Sequence, residues 1–364
     1  MYFTRRTKEY VMKKRTIIQL IILVMVLFAL FLLVFLPPFL EGKILDEQLI
    51  NTDKAKDQKV KNNLYEAPLT GIEGEEPFLL RPIVATISND PHARPQKGLS
   101  LADYTYEFLI EGKGTRFVAI YQSEWPEEIG PMRSARHYFY PIARDLDSLY
   151  VAHGFSRYAL NELQRSPLPQ VNGIDHEGTL FQRSTDRKAP HNSYIQKSGL
   201  EKGMEMNHLS FEKAPRTTLS FHKVSDDDIM RENASTIVLN YYDSFDYKVE
   251  YTYDEQTNTY IRSTGNQTMY DALTDEVVKY SNILVIEVPY QLIDSDGRRD
   301  VQLSSGSKGY LFQDGRVTTM DWKYQRGVIQ PMDGRKPLTY TKGNTIVHVV
   351  PKETGIDRAL MYEQ

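Results

Sequence analysis

Apolar residues run from Ile17 to Leu36 with Gln19 as the one polar interruption. A helix of about 20 such residues matches the roughly 30 Å hydrocarbon core of a bilayer. The first fifteen residues hold Arg5, Arg6, Lys8, Lys13, Lys14 and Arg15 against Glu9 alone. That asymmetry predicts a basic cytoplasmic tail over 1–15, a single transmembrane helix over 16–40 and the bulk of the chain outside. A cleaved signal peptide is the other reading. The run is longer than a usual h-region and passes into Pro37-Pro38 without a small-x-small site, which favours an uncleaved anchor.

Residues 41–76 are rich in Lys, Asp, Glu and Asn and poor in aromatics, which predicts a solvated polar stalk. From Arg81 onward short apolar runs alternate with amphipathic stretches. PIVATIS (82–88) reads as a strand, and 99–111 places Leu101, Tyr104 and Phe108 at helical spacing. RFVAIYQ (116–122) is a second strand, 134–146 a helix entered through Pro131, 148–152 a third strand and 156–164 a third helix. That alternation predicts an α/β domain over 77–225, a mostly parallel sheet with flanking helices. After about Pro215 the helical period stops. TIVLNYY, YKVEYTY, NTYIRST and NILVIEVPY are strand-like, and Asp314-Gly315 between two alternating runs signals a hairpin. A mainly antiparallel β domain over 226–364 follows.

Composition narrows the chemistry. There is no cysteine, so disulfides, thiolate metal sites and lipidation on cysteine are closed to this chain. Between Arg81 and His191 there are ten arginines and three lysines, against twelve and nineteen elsewhere. A planar five-donor fork is needed where a carboxylate or phosphate is gripped in fixed geometry. Thirteen Asp and Glu in the same segment balance those charges, so the dense basic field that nucleic acid requires is missing.

In an open parallel sheet, ligands sit at the carboxyl ends of strands. The strings SNDPHARPQ, SEWPEEIGPMRSAR and HGFSR each follow a predicted strand. They would gather Asn89, His92, Arg94, Gln122, Arg133, Ser134, Arg136, His153, Ser156 and Arg157 on one edge. Duller readings stand beside this one. Arg133 or Arg136 could pair with Glu127, Glu128 or Asp145, and Asn89-Asp90 could be a turn before Pro91. His153 could be a satisfied core histidine, and Ser156 lacks a nucleophile's flanking glycines and suits a helix N-cap. For acid–base work the candidates are Glu107 and Glu111, four apart on the predicted helix beside Arg116, with His153 assisting and Asp175 and Asp186 in reserve. His153, His176 and His191 lack metal-ligand spacing, so neither a metal nor a cofactor is expected.

The ordered set RPIVATISNDPHARPQKGLSLADYTYEFLIEGKGTRFVAIYQ, IGPMRSARHYF, YVAHG and RKAPHNSY closely resembles the YerB-like family of Gram-positive envelope lipoproteins, domain of unknown function 3048. The tail, with GYLFQDGRVTTMDW, PMDGRKPLTY and KGNTIVHVVP, is similar to that family's companion C-terminal domain. The resemblance covers nearly everything from residue 80 and implies an extracytoplasmic, membrane-tethered protein of two domains. It brings no established reaction. Asn89, Arg94, Gln96, Glu107, Glu111, Thr115, Arg116, Arg133, Ser134, Arg136, His153, His191 and Asn192 fit the pattern. The family string carries Asp-Asn-His where this chain has Ser88-Asn89-Asp90, and a Gly-Ser-Pro turn where it has Gly154 to Arg157. Its lipidated cysteine is absent here.

The leading expectation is a surface-tethered module that binds an anionic envelope ligand, a phosphodiester or carboxylate, through Asn89, Arg94, Arg116, Arg133, Ser134, Arg136, His153, His191 and Asn192. A hydrolase of wall glycan or phosphodiester, using Glu107, Glu111 and His153, is the alternative. A third is an envelope scaffold presenting Tyr241, Tyr242, Tyr247, Tyr251, Tyr253 and Tyr260 to a protein partner.

Overall fold

The computed structural model describes residues 23–27, 64–222, 232–241 and 244–363. By its contacts the chain divides into residues 1–63 and residues 64–364. Of the anchor expected over 16–40, only residues 23–27 are described, as a helical turn; the rest of that span and the tail over 1–15 lie outside. Among the described residues no helix is long and apolar enough to cross a membrane, and the expected transmembrane helix gains no support. Residues 64–76, expected in the stalk, fold onto the larger unit. Tyr65–Glu66 pairs with Glu73–Gly74, Leu69 enters the core, and Gly343 N–H donates to Thr70 O at 2.8 Å.

A 12-stranded sheet forms the frame of the larger unit. From Asn282–Val288 in its middle the strands run through Thr345–Pro351, Tyr104–Leu109, Thr115–Tyr121, Ile83–Ser88 and Leu149–Ala152 to Gln170–Asn172 at one edge. Strands from both halves of the chain share this sheet, because Thr345–Pro351 lies parallel to Tyr104–Leu109. Beyond Asn282–Val288 run Ser305–Gln313, Arg316–Gln325 and Val328–Asp333, all antiparallel. The expected Asp314-Gly315 turn is there, with both residues at positive φ, 56° and 70°, as a two-residue hairpin with right-handed strand twist requires.

The mostly parallel α/β expectation is corrected by this sheet, which is mixed and carries few helices. Residues 104–109 are a fully buried strand where a helix was expected. The same residues satisfy both periods: Tyr104, Tyr106 and Phe108 fall on one strand face, their rings 5.3 and 5.6 Å apart in succession. The intervening Thr105 and Glu107 complete a strand's alternation, and they too are buried, on the opposite face. Tyr104–Leu109 and Thr115–Tyr121 are antiparallel, and so are Thr115–Tyr121 and Ile83–Ser88. The linker 110–114 is far too short for a parallel crossover, which takes a dozen or more residues. Parallel pairing does hold where Leu149–Ala152 meets Ile83–Ser88 and Gln170–Asn172.

The helix expected over 134–146 is instead an extended segment, a turn over His137–Phe139 and the short helix Tyr140–Asp145. The helix Arg157–Arg165 forms as expected, and Ser156 Oγ caps it by accepting from Ala159 N–H at 3.1 Å. A second, six-stranded sheet contains Val249–Asp254 and Thr259–Thr264. Tyr251 and Arg262 are register partners there, as Glu107 and His348 are in the large sheet. These four side chains meet.

Candidate functional site

The site is assembled where two parallel strands diverge. Ile83–Ser88 and Leu149–Ala152 pair from Ile83 and Leu149 as far as Ala85 and Val151, and the extended segment around Arg133 enters beyond that point. Arg133 N–H donates to Thr86 O at 2.9 Å, Ser88 N–H to Pro131 O at 2.9 Å and His153 N–H to Arg133 O at 3.0 Å. Arg133 and Arg136 are therefore displayed from extended backbone rather than along a helix. Because Thr115–Tyr121 is antiparallel, its beginning reaches this edge and sets Arg116 beside Ser88. Its end carries Gln122 to the opposite edge, where Asp103 accepts the Gln122 N–H.

A cavity of about 340 Å³ opens here, lined by Ser88, Asp90, Ile110, Glu111, Gly114, Thr115, Arg116, Arg133, Arg136 and Tyr247. Arg136 grips Glu111 in a two-pronged ion pair, with Nε to Oε1 at 2.7 Å and Nη2 to Oε2 as the second prong. Arg116 donates to Ser134 O at 2.6 Å, and Arg133 reaches Pro190 O at 3.4 Å. Among the described residues neither has a carboxylate in ion-pair contact. Burial, with the charges of Arg136 and Arg133 added, pushes Arg116 down to about 9. Burial also lowers Arg133, with Asp90 opposing. The two carboxylates on the wall are Glu111 and Asp90.

Glu111 lies under opposing influences. Burial would raise its carboxyl, but the hydrogen bond and charge of Arg136 outweigh it and hold Glu111 below the usual carboxylate range. Glu107 stands apart from the cavity. It is fully buried and bonded to Arg262 at 2.8 Å, Thr115 at 2.7 Å and Asn89 at 3.0 Å. Burial would raise Glu107 as well, and Arg262 reverses the direction. Asn89 is the hub behind the cavity, donating to Glu107 and Thr115 and accepting from Arg94 Nε at 3.2 Å. Arg94 also donates to Asp246 O and stacks against Tyr247, 5.6 Å to the ring centre. It walls a second cavity of about 340 Å³ with Phe245 and Met269.

The remaining candidates fall into two neighbouring clusters. Arg183 donates to His153 Nε2 at 3.3 Å, so the His153 proton sits on Nδ1, 2.7 Å from Ser193 Oγ. Burial, then the Arg183 charge, lowers His153 and keeps it neutral. Asn192 Oδ1 accepts from Arg183 at 3.0 Å in the same cluster. Ser134 contributes its carbonyl to Arg116 and Arg136 and its hydroxyl to His153 O. His191 lies at the rim beside Asp90 and His92. The structure thus unites Arg116, Arg133, Arg136 and Glu111, and sets Glu107, Asn89, His153 and Asn192 behind or beside them.

Sequence reasoning missed Arg262, and it assigned Tyr247 to a protein-contact surface and not to this cavity; both arrive from the second half of the chain. It also missed that Asp90 and His92, two apart in the string, would meet His191. Of the tyrosines expected to form a contact surface, Tyr241, Tyr251 and Tyr260 are in the core and Tyr247 is on the cavity wall. Tyr242 lies outside the described residues.

Comparison with known proteins agrees with the ordered strings. YerB of Bacillus subtilis (strain 168), whose name classes it among lipoproteins, is 39% identical over 286 residues, covering 78% of this chain and 86% of YerB. A crystal structure of the Bacillus subtilis YerB protein superposes with a TM-score of 0.75 at 36% identity, over 82% of this chain and 99% of that one. The N-terminal and C-terminal domain models of the protein family of unknown function DUF3048 match residues 69–210 and 237–347. The chain belongs to the DUF3048 family.

Proposed function

We propose that this protein binds an anionic ligand of the cell envelope, a phosphodiester or a carboxylate, in the cavity of Arg116, Arg133 and Arg136. The observation that carries this reading is the convergence of three guanidiniums on one cavity, of which, among the described residues, only Arg136 is in an ion pair. Two of them, Arg116 and Arg133, are depressed by burial and by the charge of Arg136. An anion between them would relieve that repulsion, and planar forks suit its oxygens. The envelope setting is supported by the lipoprotein name of YerB.

Titration of the full chain with inorganic phosphate, a glycerol-phosphate polymer and a wall muropeptide tests it. Binding by at least one probe that Arg133→Ala weakens by about tenfold is expected, the size of one lost charge-assisted contact. Failure of all three probes, or binding indifferent to that substitution, overturns it. The hydrolase reading has one observation in its favour, Glu111 in the same cavity. Against it, the Arg136 fork keeps Glu111 ionised and both its oxygens occupied, which suits neither a general acid nor a free base.

A further inference from the structure

We propose that Asp90, His92 and His191 form a binding site for a divalent transition-metal ion of the zinc class, at the rim of the arginine cavity. One ligand atom from each, a carboxylate oxygen and two imidazole nitrogens, lies within 4.8 Å of the others. The rings of His92 and His191 stand 5.6 Å apart. Two imidazoles and one carboxylate are a donor set for zinc and its neighbours, whereas magnesium and calcium prefer oxygen alone.

A purely local explanation accounts for two of the three residues. Asp90 caps the Pro91–Ala93 turn by accepting His92 N–H at 2.9 Å, and its Oδ1 lies 2.9 Å from His92 Nδ1. It does not account for His191. Its Nδ1 is buried, has no hydrogen-bond partner among the described residues, and stands 3.8 Å from Asp90 Oδ1. That is beyond hydrogen-bond length, and a buried polar atom left without a partner is disfavoured. A metal shared with Asp90 would satisfy it.

The geometry needs little adjustment. Ligand atoms around a tetrahedral zinc are roughly 3.3 Å apart, given bonds of about 2.0 Å. The separations of 2.9 and 3.8 Å from Asp90 straddle that value. The His92 side chain is 83% exposed and free to turn from hydrogen bonding to coordination. The backbone N–H of His92 already orients the carboxylate, the outer support that metal ligands commonly have. Three protein ligands leave a fourth position for water or an anion oxygen. Asp90 lines the arginine cavity, and Arg133 reaches the carbonyl of Pro190, next to His191.

The test is metal binding itself and does not depend on the anion reading. The purified full chain, stripped of metal, is titrated with Co²⁺ and then Zn²⁺, following the visible absorption of bound cobalt and the heat of zinc binding. The expected result is one equivalent of Co²⁺ with tetrahedral-type absorption, displaced by Zn²⁺. Affinity should fall more than about tenfold in His92→Ala and in His191→Ala, with His208→Ala unchanged. His92 is exposed, so its variant decides the matter even where His191→Ala disturbs folding. Absence of stoichiometric binding, or binding unchanged in His92→Ala, overturns the proposal.

Discussion

Arg262 Nη2 lies 2.8 Å from Glu107 Oε2, both side chains are fully buried, and 155 residues separate them along the chain. Arg262 also donates to Tyr251 Oη at 2.6 Å and lies 5.2 Å from the centre of the Phe117 ring, so its charge is enclosed on every described side. Glu107 belongs to a strand of the large sheet and Arg262 to the smaller one. The pair ties the two sheets together immediately behind the arginine cavity.

Removing one partner leaves a buried charge uncompensated. Glu107→Gln or Arg262→Met should each destabilise the fold by about 3–5 kcal/mol. The double variant Glu107→Gln with Arg262→Met should lose clearly less than the sum, because both charges then leave the interior. Urea unfolding midpoints of the four proteins check this. Single variants of wild-type stability would show that the pair is not closed in solution.

His348 predicts a pH dependence. Its ring sits between Tyr241 Oη at 2.7 Å and Tyr251 Oη at 2.8 Å, and burial pushes its pKa down to about 3. An unfolded chain takes up that proton near pH 6.5, which the folded chain refuses until about 3. Stability from this residue is therefore full above pH 6.5 and falls as pH drops toward 3, by up to about 1.4 kcal/mol per pH unit. His348→Gln should flatten that limb in denaturation measured from pH 7 to 4. Parallel wild-type and variant curves would exclude the assignment.

Glu111→Gln separates binding from hydrolysis. It removes a negative charge from a wall that holds three guanidiniums, Glu111 and Asp90. Phosphate affinity should rise by roughly two- to tenfold, an increment of one partly screened charge. A hydrolase would instead lose turnover. Arg133→Lys, which keeps charge and loses the fork, should weaken binding at unchanged ionic-strength dependence.

Ser156→Ala should cost about 1 kcal/mol through the lost cap on Arg157–Arg165 and leave anion binding unchanged. Thermal unfolding and the phosphate titration read the two effects separately. A loss of binding without loss of stability would return Ser156 to the site.

The sequence by itself determined the local pieces. The strands Ile83–Ser88 and Leu149–Ala152, the cap at Ser156 and the hairpin at Asp314-Gly315 follow from short-range signals, whereas Arg116 reaches Arg133 and Arg136 only because Thr115–Tyr121 runs antiparallel to Ile83–Ser88. Turn chemistry, capping and the choice of arginine over lysine act over a few residues and so are written in order along the chain. Tertiary structure decided the rest. YTYEFL fits a helical period as well as a strand's alternation, and its strand state was decided by pairing with Thr115–Tyr121 on one side and with Thr345–Pro351, more than two hundred residues away, on the other. Glu107 was expected beside Glu111 as an acid or base; the strand turned it inward to Arg262. Asp90 and His92 gained His191 only when the chain folded back. Side-chain chemistry is local, but burial and partners are properties of the whole fold, and these separate a structural carboxylate from a functional one.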